Sequence, residues 1–111
     1  ALLRRTGAPE DDLLEDSGIR IDLTSHRVSI DGKTIQIGPT EYRLLELFMR
    51  NPDRVFERDQ LLDRVWGRSS YIETRTVDVH ILRLRKVLKP FGLEKTIQTV
   101  RSVGYRFTPI R

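Results

Sequence analysis

"RTVDVHILRLRKVL", residues 75–88, has the spacing of a helix with two unlike faces. At about 100° per residue, Val77, Ile81, Leu84 and Leu88 line up in a narrow apolar stripe suited to a core. The opposite side gathers Arg75, Thr76, Val79, Leu82, Arg83 and Lys86. Three cations, two bare aliphatics and a small hydroxyl are an odd set for a face that meets only water. The major groove of DNA suits them, because it admits a helix and displays both guanine acceptors and thymine methyls. On that reading Arg83 bonds guanine O6 and N7, Val79 and the Thr76 methyl meet thymine methyls, and Arg75 and Lys86 reach flanking phosphates. The plain alternative is a solvated face with two incidental apolar residues. This helix alone does not choose between them.

A second feature lies downstream. "TIQTVRSVGYRFTPI" (96–110) is two β-type runs around Arg101-Ser102-Val103-Gly104, a hairpin with Arg101 at its tip. Gly104 is expected to supply the unusual backbone dihedral. An arginine on a projecting hairpin can enter a narrow minor groove, where the negative potential is enhanced. A surface arginine by itself means little; a reading helix followed by such a hairpin argues for DNA.

Upstream, "IRIDL" (19–23), "HRVSI" (26–30) and "KTIQI" (33–37) alternate like strands, with Leu13-Leu14 in an earlier, weaker one. Asp31-Gly32 between two of them signals a tight hairpin with positive φ at both turn positions. "GPTEYRLLELFMRNP" (38–52) reads as a helix with Pro39 in its first turn, a buried side of Leu44, Leu45, Phe48 and Met49, and Glu41 reaching back toward the Gly38 N–H. "ERDQLLDRVWG" (57–67) reads as one short helix closing at Gly67. The order is therefore a small antiparallel sheet, three helices and a hairpin. Residues 1–11 are too polar and turn-rich to pack and read as a linker, leaving 12–111 as one domain.

Composition narrows the function classes. The chain has 111 residues and no cysteine, so neither a disulfide nor a thiolate site is available. No apolar run approaches the ~20 residues of a membrane span, and the expectation is a cytoplasmic protein without a membrane partner. Residues 1–56 carry 8 Lys/Arg against 10 Asp/Glu, whereas residues 57–111 carry 12 against 6, which suggests a polyanion at one end. His26 and His80 are the only histidines, and no nucleophile–base pair, metal-ligand spacing or glycine-rich phosphate loop accompanies them. An enzyme, a metal site and a cofactor are not expected.

"GPTEYRLLELFMRNPDRVFERDQLLDRVWG", "RTVDVHILRLRKVL" and "IQTVRSVGYRF", in that order, resemble the effector domain of OmpR/PhoB-type response regulators. "TSHRV" (24–28), "GPTE" (38–41) and "VWG" (65–67) are most similar to the family's phosphate-regulon branch. The resemblance implies an α+β fold: a winged helix-turn-helix with an N-terminal four-stranded antiparallel sheet, three helices and a C-terminal β-hairpin wing. It implies sequence-specific binding of duplex DNA, two copies head to tail on direct repeats, as the output of a two-component regulator. Base contact carries over to Thr76, Asp78, Val79 and Arg83, with Arg101 in the minor groove. Phosphate contact carries over to Arg58, Trp66, Arg75, His80, Arg85, Thr99 and Tyr105, beside Lys86. Asp78 and Arg85 share a flank of the helix, so a mutual ion pair is their plain structural reading. Trp66, Gly67, Ile72 and Glu73 match a loop through which activators of this family touch the sigma or alpha subunit of RNA polymerase. A receiver domain before residue 1, acted on by a sensor histidine kinase, is implied too. The competing reading is a winged-helix protein-interaction module with a nonspecific basic face. The chain departs from the pattern at Leu82, where arginine is frequent, at Ser102-Val103, at Thr74, and at Glu57, where a capping serine is usual and a weaker helix start is expected.

Overall fold

The structure, a computed structural model, describes residues 12–67 and 73–110. Strands β1 (Leu13–Asp16), β2 (Ile19–Asp22), β3 (Arg27–Ile30) and β4 (Lys33–Ile35) form an antiparallel meander in chain order. Alternation decides its faces: Ile19 pairs with Ile30 and Ile21 with Val28, and all four are buried. Two of its turns use consecutive positive-φ residues, Ser17-Gly18 at 53° and 82° and Asp31-Gly32 at 52° and 83°. Between β2 and β3, Asp22 Oδ1 accepts the Thr24 and Ser25 N–H groups at 3.0 and 3.3 Å, a turn built by one carboxylate.

Helix α1 (Pro39–Arg50) lays Leu44, Leu45, Phe48 and Met49 across this sheet, and it ends where Asn51 Nδ2 donates to the Leu47 carbonyl at 2.9 Å. Strand β5 (Val55–Glu57) follows, where the sequence showed no strand. It pairs with β7 (Gly104–Phe107), which in turn pairs with β6 (Ile97–Val100), so the C-terminal sheet has three strands in the order β5-β7-β6. The expected free hairpin is thus anchored along one leg.

The helix expected over 57–67 is divided. Helix α2 (Arg58–Leu61) passes into a wider π-helical turn, Leu62–Trp66, closed by the Gly67 N–H on the Leu62 carbonyl at 3.0 Å. Its start is firmer than Glu57 suggested: a capping box forms, with the Glu57 N–H donating to Gln60 Oε1 at 2.8 Å. Helix α3 (Arg75–Leu88) has the expected bounds, and Val77, Ile81, Leu84 and Leu88 are fully buried. That stripe joins α1, both sheets, Phe56 and Phe107 in one core, with Phe48 edge-on to Phe56. Two short 3₁₀ turns, Lys89–Phe91 and Glu94–Thr96, carry the chain from α3 to β6. The linker reading of residues 1–11 and the contact expected at Ile72 lie outside the described residues.

Candidate nucleic-acid interface

The outer face of α3 is laid out as its sequence predicts. Val79 and Leu82 are 45% and 62% exposed, two large apolar side chains facing solvent on a helix whose other side is wholly buried. Arg75, Arg83 and Lys86 are exposed around them, and Thr76 is half-buried. Arg83 borders a shallow groove with Gln36, Ile37, Gly38, Glu41 and Val87, so its guanidinium stands free of the core. Arg75 Nε lies 2.9 Å from Glu73 Oε1, but both side chains are largely in water, and such a pair holds its members weakly. The wing turn is closed by the Val103 N–H on the Val100 carbonyl at 2.9 Å and presents Arg101 exposed.

The wing's special backbone position is Ser102, with φ 66°, and not Gly104 as expected. Gly104 is needed for space: a Cβ there would stand 1.9 Å from the Phe56 carbonyl oxygen across the β5–β7 pair. Only glycine lets β5 come this close.

Beneath the exposed face, several expected DNA contacts are held by one another. Asp78 Oδ1 accepts Arg58 Nε at 2.8 Å and the Tyr105 hydroxyl at 2.5 Å. Arg58 also lies over the Tyr105 ring. The expected Asp78–Arg85 pair is therefore replaced; Arg85 instead donates through Nε and Nη2 to the Ile97 carbonyl, and through Nη2 to Thr99 Oγ1 at 2.9 Å. Burial pushes the Asp78 carboxyl up, but the bonds from Tyr105 and Arg58 outweigh it and hold the group below the usual carboxylate value. Burial and the hydrogen bond to Asp78 both raise the Tyr105 phenol. His80 sets Nδ1 2.5 Å from Glu41 Oε2, with the Trp66 ring tilted against it. Glu41 thus pairs with α3 through Oε2, while Oε1 crowds Gly38, where a Cβ would stand 2.3 Å away. At 7% exposure Glu41 is a buried polar side chain with a hydrogen-bond partner, as burial of a polar group requires.

A family model described as "Transcriptional regulatory protein, C terminal" matches residues 32–107. The chain belongs to that family. It is 54% identical over 109 residues to the phosphate regulon transcriptional regulatory protein PhoB of Pseudomonas aeruginosa, covering 97% of this chain and 47% of that protein. The chain thus spans about half the length of the curated relatives it matches. Among solved structures, the DNA-binding domain of the response regulator AdeR in complex with an intercistronic region aligns with a TM-score of 0.76 at 34% identity, covering 82% of this chain and 94% of that one. The Klebsiella pneumoniae RstA DNA-binding domain in complex with the RstA box aligns at 0.78 and 29% identity, over 88% and 98%. The domain is of the OmpR/PhoB transcription-regulator type, and its winged helix-turn-helix fold is the one these neighbours share.

Of the residues expected at base edges, Val79, Arg83 and Arg101 are exposed, and Thr76 and Asp78 are half-buried. Arg58, Tyr105, Arg85 and Thr99 form a supporting layer of side chains hydrogen-bonded within the protein, Thr99 itself exposed, and Trp66 and His80 stand ring against ring. Trp66 and Gly67 end the π-helical turn, and Glu73 lies just before α3. Sequence reasoning missed Glu41–His80 and the Arg58–Asp78–Tyr105 corner, whose members are 39, 20 and 27 residues apart in the chain. The one available signal was a carboxylate on the packed helix α1.

Proposed function

We propose that this domain binds duplex DNA sequence-specifically, placing α3 in the major groove and the β6–β7 wing over the neighbouring minor groove. The observation that carries this reading is the outer face of α3. Val79 and Leu82 are exposed among Arg75, Arg83 and Lys86, on a helix whose opposite face is fixed in the core. Arg83, Thr76 and Val79 meet base edges, and Arg101 enters the minor groove. Phosphate contact is assigned to Arg58, Trp66, Arg75, His80, Arg85, Lys86, Thr99 and Tyr105. Support comes also from the AdeR and RstA domains, whose complexes hold DNA.

The same reading extends to the parent protein: an activator of phosphate-regulon type, driven by a sensor histidine kinase through a receiver domain, and binding direct repeats head to tail. RNA polymerase contact is assigned to Trp66, Gly67, Ile72 and Glu73. A salt titration tests the core of it. With about six phosphates neutralised, log K falls against log salt with a slope near −5. Binding that ignores salt, or equal affinity for every duplex sequence, rejects the reading and leaves a protein-interaction module with a basic face.

A further inference from the structure

His80 sits where a flank of α3 meets the first turn of α1. Its Nδ1 lies 2.5 Å from Glu41 Oε2, and the Trp66 ring stands against it with centroids 5.4 Å apart. Gly38 leaves room for the carboxylate, whose Oε1 fills the space that a Cβ there would take. Only 17% of the His80 side chain is exposed, so the ring is held between two elements. Nε2, its other nitrogen, has no partner among the described residues and is not a buried atom. One bond thereby fixes which nitrogen is left for a ligand.

Proton count fixes what that nitrogen can do. An ionised carboxylate only accepts, so beside it Nδ1 carries a hydrogen. In a neutral ring Nε2 is then a bare lone pair, and a phosphate oxygen, itself an acceptor, gains nothing from it. An outward Nε2–H with the Glu41 bond intact requires one more proton on the pair. It is the same proton whether written as imidazolium beside carboxylate or as a carboxyl donating to Nδ1. Two arginines stand nearby and keep their charge throughout: Arg83 lies across the groove that Glu41 lines, and Arg43 of α1 donates to the Val65 carbonyl beside Trp66 at 3.3 Å. The π-helical turn presents the uncharged Trp66 ring.

We propose, resting on the reading that His80 meets a phosphate, that Glu41 is a positioning residue for that contact: it turns Nε2 outward and makes docking on the DNA backbone take up one proton at the Glu41–His80 pair. Glu41 itself touches no DNA. Affinity then falls as pH rises, by up to about tenfold per pH unit.

Fluorescence anisotropy of the full chain on its preferred duplex, from about pH 5.5 to 8.5 at fixed ionic strength, tests this across the range where imidazoles titrate. Wild type should lose affinity as pH rises. In Glu41→Gln the amide can donate to a bare Nδ1, which lets a neutral ring present Nε2–H, so the profile should flatten and binding above about pH 8 should match or exceed wild type. A role in packing alone would instead lower affinity equally at every pH, with the wild-type slope kept, and that result overturns the proposal. His80→Gln should flatten the profile by losing affinity at low pH, whereas His26→Gln, in the turn before β3, should retain the wild-type profile. Absence of binding at every pH overturns the DNA-binding reading and this one with it; binding that is flat with pH in wild type overturns this one alone. Calorimetry needs no variant: heats of binding in buffers of different ionisation enthalpy should show wild type taking up a proton above about pH 7, and zero uptake refutes the assignment.

Discussion

The N-terminal sheet pairs every strand with its neighbour in the chain, whereas the C-terminal sheet takes β5 from before α2 and sets it against β7. The first is made by its turns, Ser17-Gly18, Asp22 with Thr24 and Ser25, and Asp31-Gly32. The second is made by packing, with Phe56 and Phe107 fully buried and Gly104 pressed on the Phe56 carbonyl. The sheet that carries the wing is therefore the one whose geometry depends on distant residues. This suits a binding surface that must keep two contact elements in fixed relation: a hairpin held only by its own turn would swing.

Two glycine substitutions break the comparison most directly. Gly104→Ala forces a methyl into backbone and must part β5 from β7, at an expected cost of about 3 kcal/mol or more. Gly32→Ala meets nothing within 4 Å, and only its left-handed φ of +83° resists, which is worth about 1–2 kcal/mol. Urea unfolding of the two variants should rank them in that order. Equal midpoints would mean that the C-terminal sheet relaxes as easily as a local turn.

The same contrast explains what could be read from the sequence. Alternation in 19–22 and 27–30, the Asp-Gly turn and the stripe on α3 are short-range patterns, and each produced its element. Strand β5 is three residues long, too short for a period to show, and is defined by its partner 49 residues on, as Phe56 meets Tyr105. The π-helical turn satisfies the same apolar spacing as an α-helix, so no residue advertised it. At the interface, the exposed residues Val79, Arg83 and Arg101 were legible because an unburied aliphatic or a tip arginine is anomalous where it stands. The supporting layer was not, because whether an arginine faces DNA or a carboxylate depends on which strand arrives beside it.

Function should follow the C-terminal half. Arg83→Ala is expected to cost about 1–3 kcal/mol on the preferred sequence and to relax preference at one base position, whereas Arg75→Ala weakens all duplexes alike. Arg20→Ala on β2, which removes only a surface pair with Glu15 at 3.4 Å, should leave single-site affinity unchanged. Fluorescence anisotropy against preferred and scrambled duplexes checks all three. A uniform loss with Arg83→Ala would move that side chain from base to backbone.

The smallest expected effect compares two carboxylates held in opposite ways. Asp22 is lowered first by the Ser25 backbone N–H, a partner three residues away. Asp78 is lowered although burial opposes it, because Tyr105 and Arg58 arrive from other elements. A carboxyl whose folded value lies below its unfolded one stabilises the fold above the ordinary value near 4, and this contribution is lost as pH falls through the lowered value. Wild type should therefore exceed Asp78→Asn in unfolding midpoint at neutral pH, and the gap should close on acidification below about pH 4. The corresponding gap for Asp22→Asn should be smaller throughout, since a turn whose partners lie only two and three residues away can keep part of its local bonding in the unfolded chain. If the Asp78 gap is the same at pH 3 as at pH 7, its stabilisation does not come from the ionised carboxylate, and the clamp between α3 and β7 is one of shape alone.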